Sequence, residues 1–171
     1  MADKRRACGV IGLFWLAACA QPMPVQMAAG PAQPPAPEQQ GFQQCVPYAR
    51  RASGIELYGD AWSWWQAAAG RYERGSAPLP GAVLVMKRDG RLTRGHVAVV
   101  TEVVGLREIR ITHANWAFGD KPGGLVDRDV SVVDVSPGND WSRIRVWNGG
   151  SYGRVYHAYG FVYPGAPAQA I

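Results

Sequence analysis

From His96 to Asn115 the chain reads HVAVVTEVVGLREIRITHAN, two strands and the turn between them. Val97, Ala98, Val99 and Val100 form its most apolar run. Ile109, Ile111 and His113 alternate with Arg110 and Thr112, the two-residue period of a strand with two distinct faces. Gly105 stands where a hairpin must reverse, and a connection this short calls for antiparallel pairing. In such a hairpin, spanning His96 to Val104 and Glu108 to Asn115, the start of one strand lies beside the end of the other. His96 and His113 become neighbours, and Asn115, two residues on, shares a face with His113.

The same signals recur on either side. Apolar, β-branched runs occupy Ala82 to Lys87, Val130 to Val135, Arg143 to Trp147 and Tyr159 to Tyr163. Pro78-Leu79-Pro80-Gly81 and Asp89-Gly90 mark turns. Upstream the pattern is helical. Cys45 to Ala52 forms a short helix, and Ala61 to Ala69 a second, with Asp60 as N-cap and Gly70 as terminator. Trp62, Trp64 and Trp65 on that second helix are packing residues. Two helices followed by strands give an α+β fold, short N-terminal helices packed on a five- to six-stranded antiparallel sheet. Across the 171 residues, Gly 21 and Pro 13 make up about a fifth of the chain, which argues against a helical bundle.

The first forty residues have a different character. Lys4, Arg5 and Arg6 precede the apolar run from Ala7 to Ala20, the order of a secretory leader, and the run is shorter than the roughly 20 residues a membrane span needs. It closes on Leu16-Ala17-Ala18-Cys19, similar to a lipobox, in which the cysteine is lipidated. Cleavage after Ala20 by ordinary signal peptidase also fits. Residues 21–40 (QPMPVQMAAGPAQPPAPEQQ) carry six prolines and almost no charge, the composition of a disordered tether. The organisation expected is a leader over 1–20, a tether over 21–40, a folded domain over 41–165 and a short tail over 166–171. The product is exported to the periplasm or cell envelope, with membrane contact through a leader-derived lipid.

Of the three cysteines, Cys8 and Cys19 fall in the leader, leaving Cys45 without an internal partner. At the first turn of a helix it faces unpaired amides and the positive end of the helix dipole, which favour thiolate. His96, at a strand start, can take the thiol proton at neutral pH, and His113 and Asn115 can orient its ring. The Cys45 amide offers an oxyanion donor, with Gln44 beside it. Tyr48, one turn on, packs beneath the sulfur. A protonated His113 would repel an imidazolium at His96, so activity is expected to fall in acid.

No spacing of cysteine and histidine suits a metal, Asp127, Asp129 and Asp134 lack a calcium-loop context, and no glycine loop cradles a phosphate; no cofactor is expected. His157 is read as structural. The net charge of +5 is spread along the chain, which suits an anionic surface without indicating nucleic acid.

Five segments in order, Gln44 to Ala49, Gly59-Asp60-Ala61 with Trp62 to Trp65, Pro80 to Val85, Gly95 to Val100, and Ile109 to Trp116, resemble a CHAP domain, the cysteine, histidine-dependent amidohydrolase/peptidase family. The resemblance runs from about Phe42 to Trp147. It implies a papain-like fold, peptidoglycan as substrate, Cys45 as nucleophile, His96 as base and Asn115 as the family's asparagine, with Gln44, Tyr48 and Trp116 around the oxyanion and substrate. His113 stands where the family often has Glu. A non-catalytic wall-binding or scaffolding lipoprotein on the same fold is the competing expectation.

Overall fold

The computed structural model describes residues 41–165. The leader, the tether, the candidate lipid-bearing Cys19 and the tail from 166 lie outside the described residues.

Helix α1 spans Cys45–Ser53 and ends on Gly54, whose left-handed backbone (φ 74°) lets its N–H reach the Arg50 carbonyl. Pro47 sits in the first turn, where a missing N–H costs nothing. The expected second helix is broken up: Ala61–Ser63 is a 3-10 turn and α2 is only Trp64–Ala67. Asp60 makes no side-chain cap there. Its carboxylate instead takes the Arg94 guanidinium at 2.6 Å. Trp64 is fully buried beneath the turn, and packing outweighs helical regularity over this short stretch.

Seven strands follow: β1 Arg74–Gly75, β2 Val83–Met86, β3 His96–Gly105, β4 Glu108–Ala114, β5 Val126–Asp134, β6 Arg143–Val146 and β7 Tyr156–Val162. All pairings are antiparallel. The sheet runs β1-β7-β2-β3-β4-β5-β6, and β6 pairs back onto β7. In place of the expected α+β arrangement of helices on a five- to six-stranded antiparallel sheet, the strands form a closed six-stranded barrel with β1 attached and, among the described residues, only two short helices. Closure rests on β7: its first half meets β6 through Arg143↔His157, its second half meets β1 through Arg74↔Val162, and its other edge lies along β2. Closing the sheet leaves fewer unpaired edges.

Alternation along the strands sorts the core into two groups. Leu84, Met86, Ala98, Val100, Ile109, Ile111, Val132, Ile144 and Phe161 pack together inside, with Trp116 and Trp141. Val83, Val85, Val97, Val99 and Val162 face the other way and are covered by Ala49, Ile55, Leu57 and Trp64. β2 and the first half of β3 are thus buried on both faces, which is why they read as unbroken apolar runs. The helical segment lies on the outer face of β2 and β3, bringing the N-terminus of α1 beside the start of β3.

Candidate active site

Gln44, Cys45, Asp60, Arg94, His96 and Asn115 line one cleft between the start of α1, the 3-10 turn and the loop that enters β3. Gly95 sets that entry. Its φ is 66°, and a Cβ there would lie 2.7 Å from the Trp62 nitrogen and 2.8 Å from the Met86 carbonyl oxygen. Backbone atoms on both sides demand glycine, and they fix where the next residue, His96, begins the strand.

Cys45 is a free, half-buried cysteine, open to the cleft. Burial pushes its thiol above the ordinary value, against the backbone N–H groups of Val97, Val46 and Cys45 itself and the more distant Arg94 charge, which pull it down. The Val97 amide links the sulfur to the residue after His96. His96 is 3% exposed, and burial together with His113 holds its ring well below the ordinary histidine value. The resting pair is consequently thiol and neutral imidazole. The expected thiolate–imidazolium pair is disfavoured because burial penalises both charges more than the helix start relieves them.

His96 Nε2 lies 3.0 Å from His113 Nδ1, joining the two rings by one hydrogen bond inside the protein. That places the His113 side chain where the hairpin reading put it. Val99↔Thr112 and Val100↔Ile111 set a register in which His96 and His113 are diagonal neighbours on the interior face. His113 is fully buried, and burial with the Lys121 charge lowers it to about 3. This revises the expected acid sensitivity, since the His113 ring stays neutral far below the pH at which an exposed histidine titrates.

Asn115 lines the cleft but bonds neither imidazole. It sits past the end of β4 with φ 61°, its Nδ2 donates to Gln44 Oε1 at 2.8 Å, and its Oδ1 accepts from the Gly124 N–H at 2.8 Å. The left-handed backbone turns it off the face it would share with His113. Gln44 is exposed in the cleft beside Cys45, with its oxygen engaged by Asn115 and its amide nitrogen available. Trp116, expected against substrate, is 4% exposed and packs on the rings of His96 and His113, with centroids 4.8 and 5.3 Å away. Its Nε1 donates to Asn148. It is a wall behind the histidines. Tyr48 is half-buried and outside the cleft lining, and burial raises its hydroxyl. His157 is exposed on β7.

The sequence reading missed Arg91 and Arg94 at the cleft rim and Asp127 behind His113. Asp60 and Arg94 are far apart in the chain, and only the folded loops join them. Among the described residues no group of histidine, cysteine or carboxylate side chains is arranged to hold a metal ion.

No curated protein matches the chain significantly. Residues 36–115 match the family model of the CHAP domain, from the end of the proline-rich stretch through Cys45 and His96 to Asn115. Over that segment the chain is similar to the CHAP domain, a family whose members are generally hydrolases acting on peptidoglycan.

Proposed function

We propose that the protein is a cysteine amidohydrolase or peptidase that cleaves an amide bond of peptidoglycan. The observation that carries this reading is that Cys45 and His96 line one open cleft, with Nε2 of His96 engaged by His113. With Nε2 taken, Nδ1 is the His96 nitrogen left to serve as base. As Sγ attacks the amide carbonyl carbon, the thiol proton passes to His96 and the carbonyl becomes an oxyanion. The Cys45 and Val46 amides of the helix start, and the free amide nitrogen of Gln44, are donors within the same wall. The C–N bond then breaks, the amine leaves with the proton from His96, and an acyl-thioester remains. Water deprotonated by His96 releases the acid and restores the thiol.

A neutral resting pair fits this sequence. The proton moves in step with attack, so no charge is held in a buried site between turnovers. The basic-then-apolar leader, Leu16 to Cys19 and the proline-rich segment extend the proposal to an exported, lipid-anchored protein whose catalytic domain is held within reach of the wall.

Incubating purified sacculi with the domain and with Cys45→Ala, then identifying released fragments by mass, tests the enzymatic reading. New amine and carboxyl ends that appear only with the unsubstituted protein support it. Equal binding to sacculi with no products from either protein overturns it in favour of a scaffold. Labelled palmitate incorporated by the full chain and lost in Cys19→Ser supports the anchor.

A further inference from the structure

The hydrogen bond between His96 and His113 leaves one question of chemistry open: which ring donates. A neutral imidazole has a single N–H, so the answer decides which nitrogen of His96 is free to act as base. If His113 Nδ1 donates, His96 Nε2 accepts, its proton sits on Nδ1, and the ring cannot take a proton from the thiol. If His96 Nε2 donates, Nδ1 is bare and basic. The second arrangement requires the His113 proton to be on its outer nitrogen, Nε2.

That outer nitrogen is fully buried and has no hydrogen-bond partner. The carboxylate oxygen Oδ2 of Asp127 lies 3.8 Å from it, longer than a hydrogen bond but within direct electrostatic reach. A carboxylate accepts and cannot donate, so it favours a proton on the nitrogen that faces it. Asp127 is itself held by Lys121, whose ammonium pairs with the same oxygen and also bonds the Trp116 carbonyl.

The backbone brings this carboxylate into place by an irregularity. β4 and β5 pair Ile111 with Val130 but His113 with Asp127, one residue out of step. The additional residue lies in β5, where Asp129 has a left-handed φ of 54°. Continued in the first register, Arg128 would stand opposite His113 and a cation would replace the carboxylate. The bulge exchanges one charge for the other beside a buried imidazole. Asp127 lies beyond the segment that matches the CHAP model.

We infer that Asp127 is a positioning residue: it fixes His113 as the Nε2–H tautomer, which makes His96 a donor at Nε2 and leaves His96 Nδ1 as the base. The chain of partners is Asp127, His113, His96 and the Cys45 thiol, with Lys121 holding the outer end. Only the catalytic consequence rests on the proposed hydrolase; the tautomer assignment stands on the structure alone.

Nitrogen-15 NMR of the two imidazoles at neutral pH, in the full chain carrying Cys45→Ala, reads the tautomers without any turnover. The expected spectrum has protonated Nε2 and bare Nδ1 on both rings. A second sample adding Asp127→Ala loses that preference at His113, and His96 becomes a mixture. In the catalytically intact protein, Asp127→Ala lowers kcat about tenfold with KM unchanged, and Asp127→Asn, which retains an accepting oxygen, recovers most of it. A proton on Nδ1 of His113 in the parent spectrum overturns the inference, as does an unchanged tautomer in Asp127→Ala. If that variant does not fold, the parent spectrum and Asp127→Asn decide. If sacculi are not cleaved at all, the hydrolase reading fails while the spectra still judge the tautomer.

Discussion

On the helix side of the cleft, Cys45 is half-buried, Gln44 is exposed, and the backbone amides of the first helical turn have no partner within the helix. On the barrel side, His96 is 3% and His113 0% exposed, backed by Trp116 and by the Lys121–Asp127 pair. One wall is open and rich in donors; the other is sealed and holds its rings neutral. For the proposed hydrolase the difference is one of task. A nucleophile must be reached by substrate and needs donors beside it for the charge that develops on the substrate carbonyl oxygen, whereas a base must keep a single orientation and proton arrangement. Burial supplies the second property by excluding water that would compete for the ring nitrogens.

The largest effect expected from breaking this division is at the sealed wall. His96→Gln preserves size and polarity but cannot relay a proton. The release of sacculus fragments should fall by about 10²–10⁴-fold, the usual range for loss of a general base. Thermal melting of the variant, run alongside, should show a folded protein. A His96→Gln protein retaining more than a tenth of the wild-type rate would remove the imidazole from the mechanism.

Next is the acid dependence of stability, a direct consequence of sealing. His113 titrates at about 3 in the folded chain, against roughly 6.5 when exposed in the unfolded one. His96 is displaced in the same direction. Between those limits the unfolded chain binds protons that the folded chain refuses. Stability is therefore full above about pH 6.5 and declines as pH falls toward 3. Melting temperatures from pH 7 to pH 4 should drop, and the slope should flatten in His113→Gln, which removes one of the two groups. Equal slopes in both proteins would mean that His113 is not held neutral by the fold.

How much of this arrangement was legible beforehand follows the same contrast. The hairpin of β3 and β4 could be read because alternation at Ile109, Ile111 and His113 is local, and it correctly brought His96 beside His113. The closure of the barrel could not be read, since the pairing of β6 with β7 depends on a register that no short stretch encodes. Nor could the roles of His113 and Asn115 be separated: their spacing promised a shared face, but Asn115 has a left-handed backbone that breaks the strand period. Trp116 was misplaced for a related reason. Its neighbour in sequence turns outward while its indole turns in behind the two histidines. Charge states were also out of reach, because the helix start and the burial of Cys45 act in opposite directions and only the folded structure shows that burial prevails.

Asn115 allows a sharper separation of orientation from architecture. Its amide ties Gln44 to the turn at Gly123 and Gly124, where a side chain at 123 would collide with Asn115 Oδ1. Asn115→Ala removes two hydrogen bonds at the cleft edge and should cost about 1–2 kcal/mol of stability. Because neither bond reaches an imidazole, kcat should fall less than tenfold, with more of the loss in KM as Gln44 loosens. A kcat loss as deep as that of His96→Gln would instead make Asn115 part of the proton machinery.

The smallest effect belongs to the open rim, where Asp60 and Arg94 pair across the cleft entrance. The Arg94 side chain is 80% exposed and that of Asp60 35%, so water and salt screen the pair and its contribution to folding should be under about 1 kcal/mol. Asp60→Asn should leave the melting temperature nearly unchanged. Its influence lies in substrate approach: with the carboxylate gone, Arg94 and the neighbouring Arg91 present uncompensated positive charge beside Cys45. An anionic wall fragment should then bind more tightly at low ionic strength, with the gain vanishing as salt shortens the screening length to about 10 Å at 0.1 M. A lower KM at low salt with kcat unchanged would assign this pair to recruitment. A change in kcat that persists in high salt would mean that the rim shapes the reacting centre itself, and the division between an open and a sealed wall would have to be redrawn.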